Sequence, residues 1–431
     1  MINVREKICV VGAGSSGLAA TRHLLAAGVP VDCLEREDDV GGNWYFGRPN
    51  SSVYDSTHLI SSKRLTEYAD YPMPDDYPQY PSHRQVWDYL RSYARDFKLY
   101  DHIEFNTTIE RIEPDDLGWS VRLANGEQRN YRGVVIANGH NWDPRWPKYP
   151  GEFTGEMFHS SQYKTADLLR GKRVLVIGGG NSGCDLACEA ATHAEAALHS
   201  TRRAYHVLPK FFRGKPMDEC GELMLRLRAP LWFRRAAASG VMFAVLGPSS
   251  RTGVPRPDHK LFETHPIINS QLHHHVGHGD LALRPDVECY QGDRVRFVDG
   301  SEDQVDLILC ATGFHISFPF IDAEHLNWRD GAPDLFLNVF HPERDDLFCV
   351  GLIQPDSGQF GLVDWQSRLV AQYLQAVGQE TSPSKWFAKL KQTGREQFTG
   401  GVRYLSTPRH RLEVEHYSYR RRLQKLAAKL A

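Results

Sequence analysis

The chain has 431 residues, of which 41% are hydrophobic and 24% are charged, and its 51 basic residues nearly balance 53 acidic ones. This length and composition predict two or three globular domains and exclude a disordered, collagen-like or disulfide-dependent chain. The net charge of −2 argues against nucleic-acid binding as the main function, because such binding needs a basic surface.

The first predicted unit is a strand, a glycine-rich turn, a helix and a second strand. Residues 7–11 predict a buried strand, residues 18–27 predict a helix that stops at Gly28, and Val31–Leu34 predicts a strand that ends at Glu35. The turn between the first strand and the helix consists of Gly12, Ala13, Gly14, Ser15, Ser16 and Gly17.

Each part of this pattern suits a dinucleotide. The first glycine permits a tight turn, the second lets a pyrophosphate approach the backbone, and the third lets helix and strand pack closely. The helix N-terminus offers unpaired N–H groups to the phosphates. Glu35 stands at the end of the second strand, where a carboxylate accepts hydrogen bonds from a ribose.

A second copy of the unit follows at a constant offset along the chain. Arg173–Ile177 predicts its first strand and Ala196–Ser200 its second, and Thr201 stands at the position that matches Glu35. Thr201 is followed by two arginines, which can clamp a 2′-phosphate. The second site is therefore predicted to bind NADPH, and the first a different dinucleotide, most naturally an FAD that accepts the electrons of NADPH. The predicted NADPH-binding residues are Gly178, Gly180, Asn181, Ser182, Gly183, Arg202 and Arg203.

Four further segments resemble motifs of the flavin-containing monooxygenases, which are class B flavoprotein monooxygenases related to the Baeyer–Villiger enzymes. Residues 153–163 resemble the FxGxxxHxxx(F/Y/W) fingerprint through Phe153, Gly155, His159 and Tyr163. The fingerprint ends in Tyr163 and not in the tryptophan that is usual in the Baeyer–Villiger branch, which favours the flavin-containing branch. The other three segments are residues 41–44, 310–314 and 351–355.

The resemblance implies which further residues contact the cofactors. It assigns Thr312 and Gly313 to the NADPH site or to the crossover between the domains. On the FAD side it implies contacts from Gly42, Asn43, Trp44, Ser61, Ser62, Ile109 and Gln354.

The resemblance also implies a reaction. An enzyme of this kind uses NADPH to insert one oxygen atom of O2 into a soft nucleophile, an amine nitrogen or a sulfide sulfur, through a C4a-(hydro)peroxyflavin. Ile60 stands where the family has an asparagine, and it cannot donate a hydrogen bond. Either His58, Ser61 or Ser62 takes over that role, or part of the NADPH yields hydrogen peroxide. Two further functions stay open at this point, namely Baeyer–Villiger oxidation of ketones and NADPH sensing without enzyme activity.

Alternating strand and helix patterns predict an α/β fold with two doubly wound, Rossmann-like lobes. We expect an FAD lobe at 1–164 and 308–431, and an inserted NADPH lobe at 165–307. Residues 134–137 and 306–310 are predicted as strands that return to the FAD lobe. A helical insertion at about 218–266 is predicted as a lid over the substrate path, with a dimer surface as the alternative.

The remaining features predict a cytoplasmic protein. The eight cysteines include no CxxC pair, and the longest apolar run, residues 236–247, is too short to span a membrane. Three consecutive histidines at 273–275 would point in different directions on a helix, so we expect no metal site. The expected partners are O2 and a small-molecule substrate, and a homodimer is left open.

Overall fold

The computed structural model describes residues 2–247, 251, 253–394, 396–405 and 410–431. Within these ranges the chain forms an α/β fold with two main sheets, each built around one of the two glycine-rich units. The predicted fold class is therefore confirmed.

The first sheet has seven strands and contains the first glycine-rich unit. Its central strand, Ile2–Val11, is longer than predicted, but it is fully buried only from Ile8 onward. This strand runs parallel to Val31–Leu34 on one side and to Gln128–Ile136 on the other, so the strand predicted at 134–137 does lie in this sheet. Parallel pairing brings the carboxyl ends of these strands to one edge. The other strands are Ile103–Glu104, Ile109–Asp115, Gly118–Leu123 and Leu347–Cys349.

The second sheet has five parallel strands and contains the second glycine-rich unit. Arg173–Ile177 and Ala196–Ser200 have the predicted bounds. The prediction that residues 306–310 return to the first sheet is wrong, because Leu307–Cys310 pairs with Arg173–Ile177 and with Glu156–His159. An apolar run predicts a buried strand but carries no signal for which of two sheets accepts it. The fifth strand is Leu281–Arg284.

A third sheet has four strands, which neighbour strands of the second sheet in the sequence. The fingerprint region supplies Gly151–Phe153 to this third sheet and Glu156–His159 to the second. This pairing favours a start of the NADPH lobe before residue 165, and the division of the chain into lobes stays a prediction. The other strands of the third sheet are Val287–Gly292, Arg294–Phe297 and Glu302–Gln304.

Long helices cover the two main sheets. Ser15–Ala26 follows the first glycine turn and packs against Phe360–Gly378, which in turn packs against His416–Leu430. Asn181–His193 follows the second glycine turn. The other helices outside the insertion are Lys63–Thr66, His83–Asp96, Leu272–His278 and Ser382–Lys391, with 3₁₀ turns at Gly42–Trp44, Leu99–His102, Ala166–Leu169 and Ala323–Leu326.

Among the described residues, the helices Met217–Arg226 and Leu231–Leu246 lie in the predicted insertion. Its Pro-rich part includes residues 248–250 and 252, which lie outside the described ranges. The role of the insertion as a lid stays a prediction. Among the helices described, none combines the length and apolar character that a bilayer crossing requires.

Candidate active site

A cavity of about 1100 Å³ lies between the two glycine turns and is lined by residues from both units. This position agrees with the rule that ligands of doubly wound sheets bind beyond the carboxyl ends of the strands. Most of the predicted cofactor residues line this cavity. They are Gly12, Gly14, Ser15, Ser16, Glu35, Gly42, Asn43, Trp44, Ser61, Ile109, Gln354, Gly178, Gly180, Asn181, Ser182, Arg202, Thr312 and Gly313.

The first glycine turn has the shape that a pyrophosphate requires. Gly12 has φ +95°, a conformation that favours glycine, and a Cβ there would lie 3.2 Å from the carbonyl oxygen of Ala137. A Cβ on Gly14 would lie 3.5 Å from the Cα of Gly42, an ordinary van der Waals contact. Gly14 is also the N-cap of the following helix and makes no side-chain cap, which leaves N–H groups for an anion. Gly17 has another role, because its Cβ would lie 1.8 Å from the carbonyl oxygen of Gly12. The first turn therefore fits the diphosphate of FAD.

Glu35 is buried at the rim of this turn. Its Oε2 accepts a 2.6 Å hydrogen bond from the N–H of Ala13, and its Oε1 accepts one of 2.9 Å from the N–H of Glu37. These bonds fix the carboxylate and leave lone pairs for ribose hydroxyls. Burial raises the pKa of Glu35, and the two backbone bonds oppose that rise.

The second glycine turn repeats the construction of the first. Gly178 has φ +128°, and its Cβ would lie 2.3 Å from the carbonyl oxygen of Ala311. A Cβ on Gly183 would lie 1.9 Å from the carbonyl oxygen of Gly178, just as at Gly17. Asn181 accepts a 2.9 Å hydrogen bond from the N–H of Ile268. The backbone therefore fits a second dinucleotide.

The structure separates the two arginines that were predicted to bind the 2′-phosphate. Arg202 is exposed and lines the cavity, and within the described ranges it has no ion pair. Arg203 instead forms an ion pair of 3.0 Å with Asp258 and does not line the cavity. The geometry therefore favours Arg202 as the phosphate clamp.

The residues around Ile60 line the cavity, but their polar groups are engaged to different extents. Ile60 is half-buried and lines the cavity. The ring of His58 also lines it, and His58 Nδ1 donates 2.9 Å to the carbonyl of Ser56, which leaves Nε2 as an acceptor. The hydroxyl of Ser61 is engaged with that of Thr66 at 2.8 Å.

Ser62, predicted to contact FAD, does not line the cavity and is fully buried. Its backbone N–H and its hydroxyl both donate to Asp218 of the insertion, at 2.7 and 3.0 Å. The side chain of Asn43 also has a partner within the protein, because its Oδ1 accepts hydrogen bonds from the N–H and the hydroxyl of Ser52 at 2.7 and 2.8 Å.

The four fingerprint residues lie behind the cavity wall. His159 is buried, its Nε2 lies 3.1 Å from the carbonyl oxygen of Gly313, and desolvation lowers its pKa. Tyr163 is fully buried and packs edge-on against cavity-lining Tyr54, with ring centroids 5.6 Å apart. Phe153 packs so close to Gly155 that a Cβ on this glycine would lie 2.5 Å from its ring. The segment therefore joins the crossover at Gly313 to the cavity wall.

Several cavity residues escaped sequence reasoning. Asp185 lies on the helix after the second turn, accepts 2.7 Å from the amide of Asn269, and has a pKa raised by burial. His140 follows a strand of the first sheet, and desolvation lowers its pKa to about 4. His265, from the insertion, pairs at 3.2 Å with Glu413. For His140, the position just beyond a strand end was a usable signal, and for Asp185 so was the position on the helix after the second glycine turn. Only His265 depends on a distant segment.

Two dinucleotide cradles that open into one cavity define a two-cofactor oxidoreductase. The chain belongs to the flavin-binding monooxygenase-like family, which it matches over residues 5–419. The resemblance drawn from the motifs is confirmed, and so are the monooxygenase class and its cofactors, FAD and NADPH.

Comparison with individual proteins gives the same class. Flavin-containing monooxygenase 5 of Rattus norvegicus is 31% identical over 438 residues, which cover 96% of this chain and 81% of the relative. The fold is similar to that of S-allyl-L-cysteine S-oxygenase from Allium sativum, with a TM-score of 0.68, 20% identity and coverage of 99% and 89%. It is also similar to cyclohexanone monooxygenase, with a TM-score of 0.71, 18% identity and coverage of 99% and 98%.

Proposed function

We propose that this enzyme oxygenates a soft nucleophile, either an amine nitrogen or a sulfide sulfur. In the balanced reaction, NADPH, one proton, O2 and the substrate give NADP+, water and the N- or S-oxide. The observation that carries the proposal is the shared cavity, which faces a carboxylate at one ribose position and an arginine at the other. The name of the S-allyl-L-cysteine S-oxygenase from Allium sativum, a protein of similar fold, supports sulfur as one acceptor.

FAD, when bound, would accept the hydride of NADPH and deliver one oxygen atom to the substrate. The chain's own residues would hold the cofactors in place. The N–H groups after Gly14 and Gly180 would bind the diphosphates, Glu35 would bind the ribose of FAD, and Arg202 would bind the 2′-phosphate of NADPH.

Ile60 would act by excluding water from the cavity. Its side chain is apolar and makes no hydrogen bond, so it cannot replace an amide donor. Among the three candidate substitutes, the Ser61 and Ser62 hydroxyls are engaged with Thr66 and Asp218. His58 keeps Nε2 at the cavity, but a neutral ring that donates from Nδ1 offers Nε2 only as an acceptor, so His58 does not replace the amide donor either.

The experiment is a product assay with isotopically labelled oxygen. Purified FAD-loaded enzyme, NADPH and ¹⁸O2 are mixed separately with a tertiary amine, methyl phenyl sulfide or cyclohexanone. We expect one ¹⁸O atom in the amine or sulfide product and unchanged ketone. A labelled lactone would establish Baeyer–Villiger oxidation instead, and conversion of all NADPH to peroxide with every substrate would establish an oxidase.

The cellular location and the oligomeric state of the enzyme stay predictions. We propose a cytoplasmic location for this enzyme. Trp232 and Phe243 of the insertion are 71% and 67% exposed, which suits either a lid edge or a contact between copies.

A further inference from the structure

One carboxylate of the insertion contacts two segments of the active-site wall. Asp218 lies in the first turn of the helix Met217–Arg226. Its Oδ2 accepts hydrogen bonds from the N–H of Ser62 at 2.7 Å, from the hydroxyl of Ser62 at 3.0 Å and from the hydroxyl of Ser357 at 3.2 Å. The same carboxylate therefore links the segments 60–62 and 354–357, which are far apart in the sequence.

The donor set at Asp218 requires a carboxylate. Its second oxygen, Oδ1, accepts a 3.0 Å bond from the N–H of Glu219, so both oxygens face donors only. An asparagine has one acceptor oxygen, and its NH2 group would face either the donors of Ser62 or the N–H of Glu219. Replacement by asparagine keeps the size of the side chain but cannot satisfy all of these contacts.

The linked segments are the ones that carry candidate active-site residues. Ile60 and Ser61 directly precede Ser62, and Gln354 precedes Ser357, which itself lines the cavity. A shift of either segment would therefore change the shape of the cavity wall at Ile60 or at Gln354.

The helix that bears Asp218 is itself held in place by other contacts. Glu222, one turn further along, pairs with Arg420 at 2.7 Å and lies 3.4 Å from His416, both on the C-terminal helix. Before the helix, the hydroxyl of Tyr80 donates 2.6 Å to the carbonyl of Lys210. The contacts of Glu222 hold this helix, and with it Asp218, against the C-terminal helix.

We propose that Asp218 is a positioning residue that holds the segments 60–62 and 354–357 in place and thereby directs NADPH oxidation into oxygenation instead of peroxide release. The effect on oxygenation rests on the proposed function, whereas the effect on the two segments does not.

The test compares Asp218→Asn with Glu219→Gln, a neighbouring charge-to-amide change in which the side chain makes none of these contacts. Hydrogen exchange is measured on the full-length, FAD-loaded protein. Asparagine can turn its one oxygen towards the donors of Ser62 and Ser357, but it loses the charge and the contact with the N–H of Glu219, so exchange in peptides covering 57–63 and 354–360 should rise about fivefold in Asp218→Asn. Glu219→Gln should exchange like the wild type.

The second readout is the ratio of peroxide formed to NADPH consumed per bound FAD. We expect at least a threefold rise in Asp218→Asn and no rise in Glu219→Gln. Faster exchange in the two peptides without more peroxide would overturn the role in oxygenation. Unchanged exchange there, or faster exchange across the whole insertion, would overturn the positioning role.

A milder variant covers the case in which Asp218→Asn fails to fold. Ser357→Ala removes one donor, and it should accelerate exchange at 354–360 while leaving 57–63 unchanged; equal acceleration of both, or of neither, would count against the link. A wild-type enzyme that converts all NADPH to peroxide would refute the proposed function, and the exchange result alone would then decide the role of Asp218.

Discussion

Replacing Arg202 by alanine should separate NADPH from NADH. Arg202 is exposed at the cavity and has no ion pair in the described part of the chain, so its removal breaks no ion pair there. A charge-assisted hydrogen bond contributes about 1.5–3 kcal/mol, which corresponds to a loss of about 10- to 150-fold in affinity. We expect this loss for NADPH and less than a twofold change for NADH, which lacks the 2′-phosphate.

The assay is anaerobic stopped-flow reduction of the bound FAD at varied concentrations of each nucleotide, which yields a dissociation constant for both. Arg203→Ala is the matched control, because Arg203 is already paired with Asp258. It should weaken NADPH less than threefold. The assignment of the phosphate clamp would be refuted by an equal loss for NADPH and NADH, or by a larger loss in Arg203→Ala than in Arg202→Ala.

Three further predictions address packing, coupling and pH. Gly17→Ala should lower the temperature of FAD release by several degrees, because the new Cβ would lie 1.8 Å from the carbonyl oxygen of Gly12. The control is Gly221→Ala, a helical glycine with open space around its Cβ, which should leave this temperature unchanged. Equal effects of the two variants would contradict the steric argument. Ile60→Asn should raise the ratio of oxygenated product to peroxide, and an unchanged ratio would show that this position does not control coupling. Because the pKa of His140 is lowered to about 4 from 6.5, the folded protein should lose stability as pH falls from about 6.5 towards 4. In urea unfolding, the free energy of unfolding of His140→Asn should fall less steeply with pH than that of the wild type. An identical pH dependence in the two proteins would contradict this role.

Local features were predictable from the sequence, and long-range ones were not. The two glycine-rich units depend on neighbouring residues, so the bounds of Val31–Leu34, Arg173–Ile177 and Ala196–Ser200 were predicted without error. The strand Leu307–Cys310 was predicted as buried but assigned to the wrong sheet, because both sheets accept an apolar parallel strand.

The same limit applies to the candidate site. Neighbouring arginines look alike in a sequence, and only the fold shows that Asp258 occupies Arg203 and leaves Arg202 at the cavity. Ser62 was predicted at the flavin, but its partner Asp218 comes from the distant insertion. No spacing rule connects these two positions.

The duplicated interlock of Gly17 on Gly12 and of Gly183 on Gly178 has a consequence for protein engineering. Both copies need glycine at the helix start, but they differ after the second strand: Glu35 accepts a hydrogen bond from Ala13 of the first turn, whereas within the described ranges no hydrogen bond joins Thr201 or Arg202 to the second turn. We therefore expect changes at Thr201 and Arg202 to alter the nucleotide preference without disturbing the second glycine turn, whereas changes at Glu35 should also disturb the first.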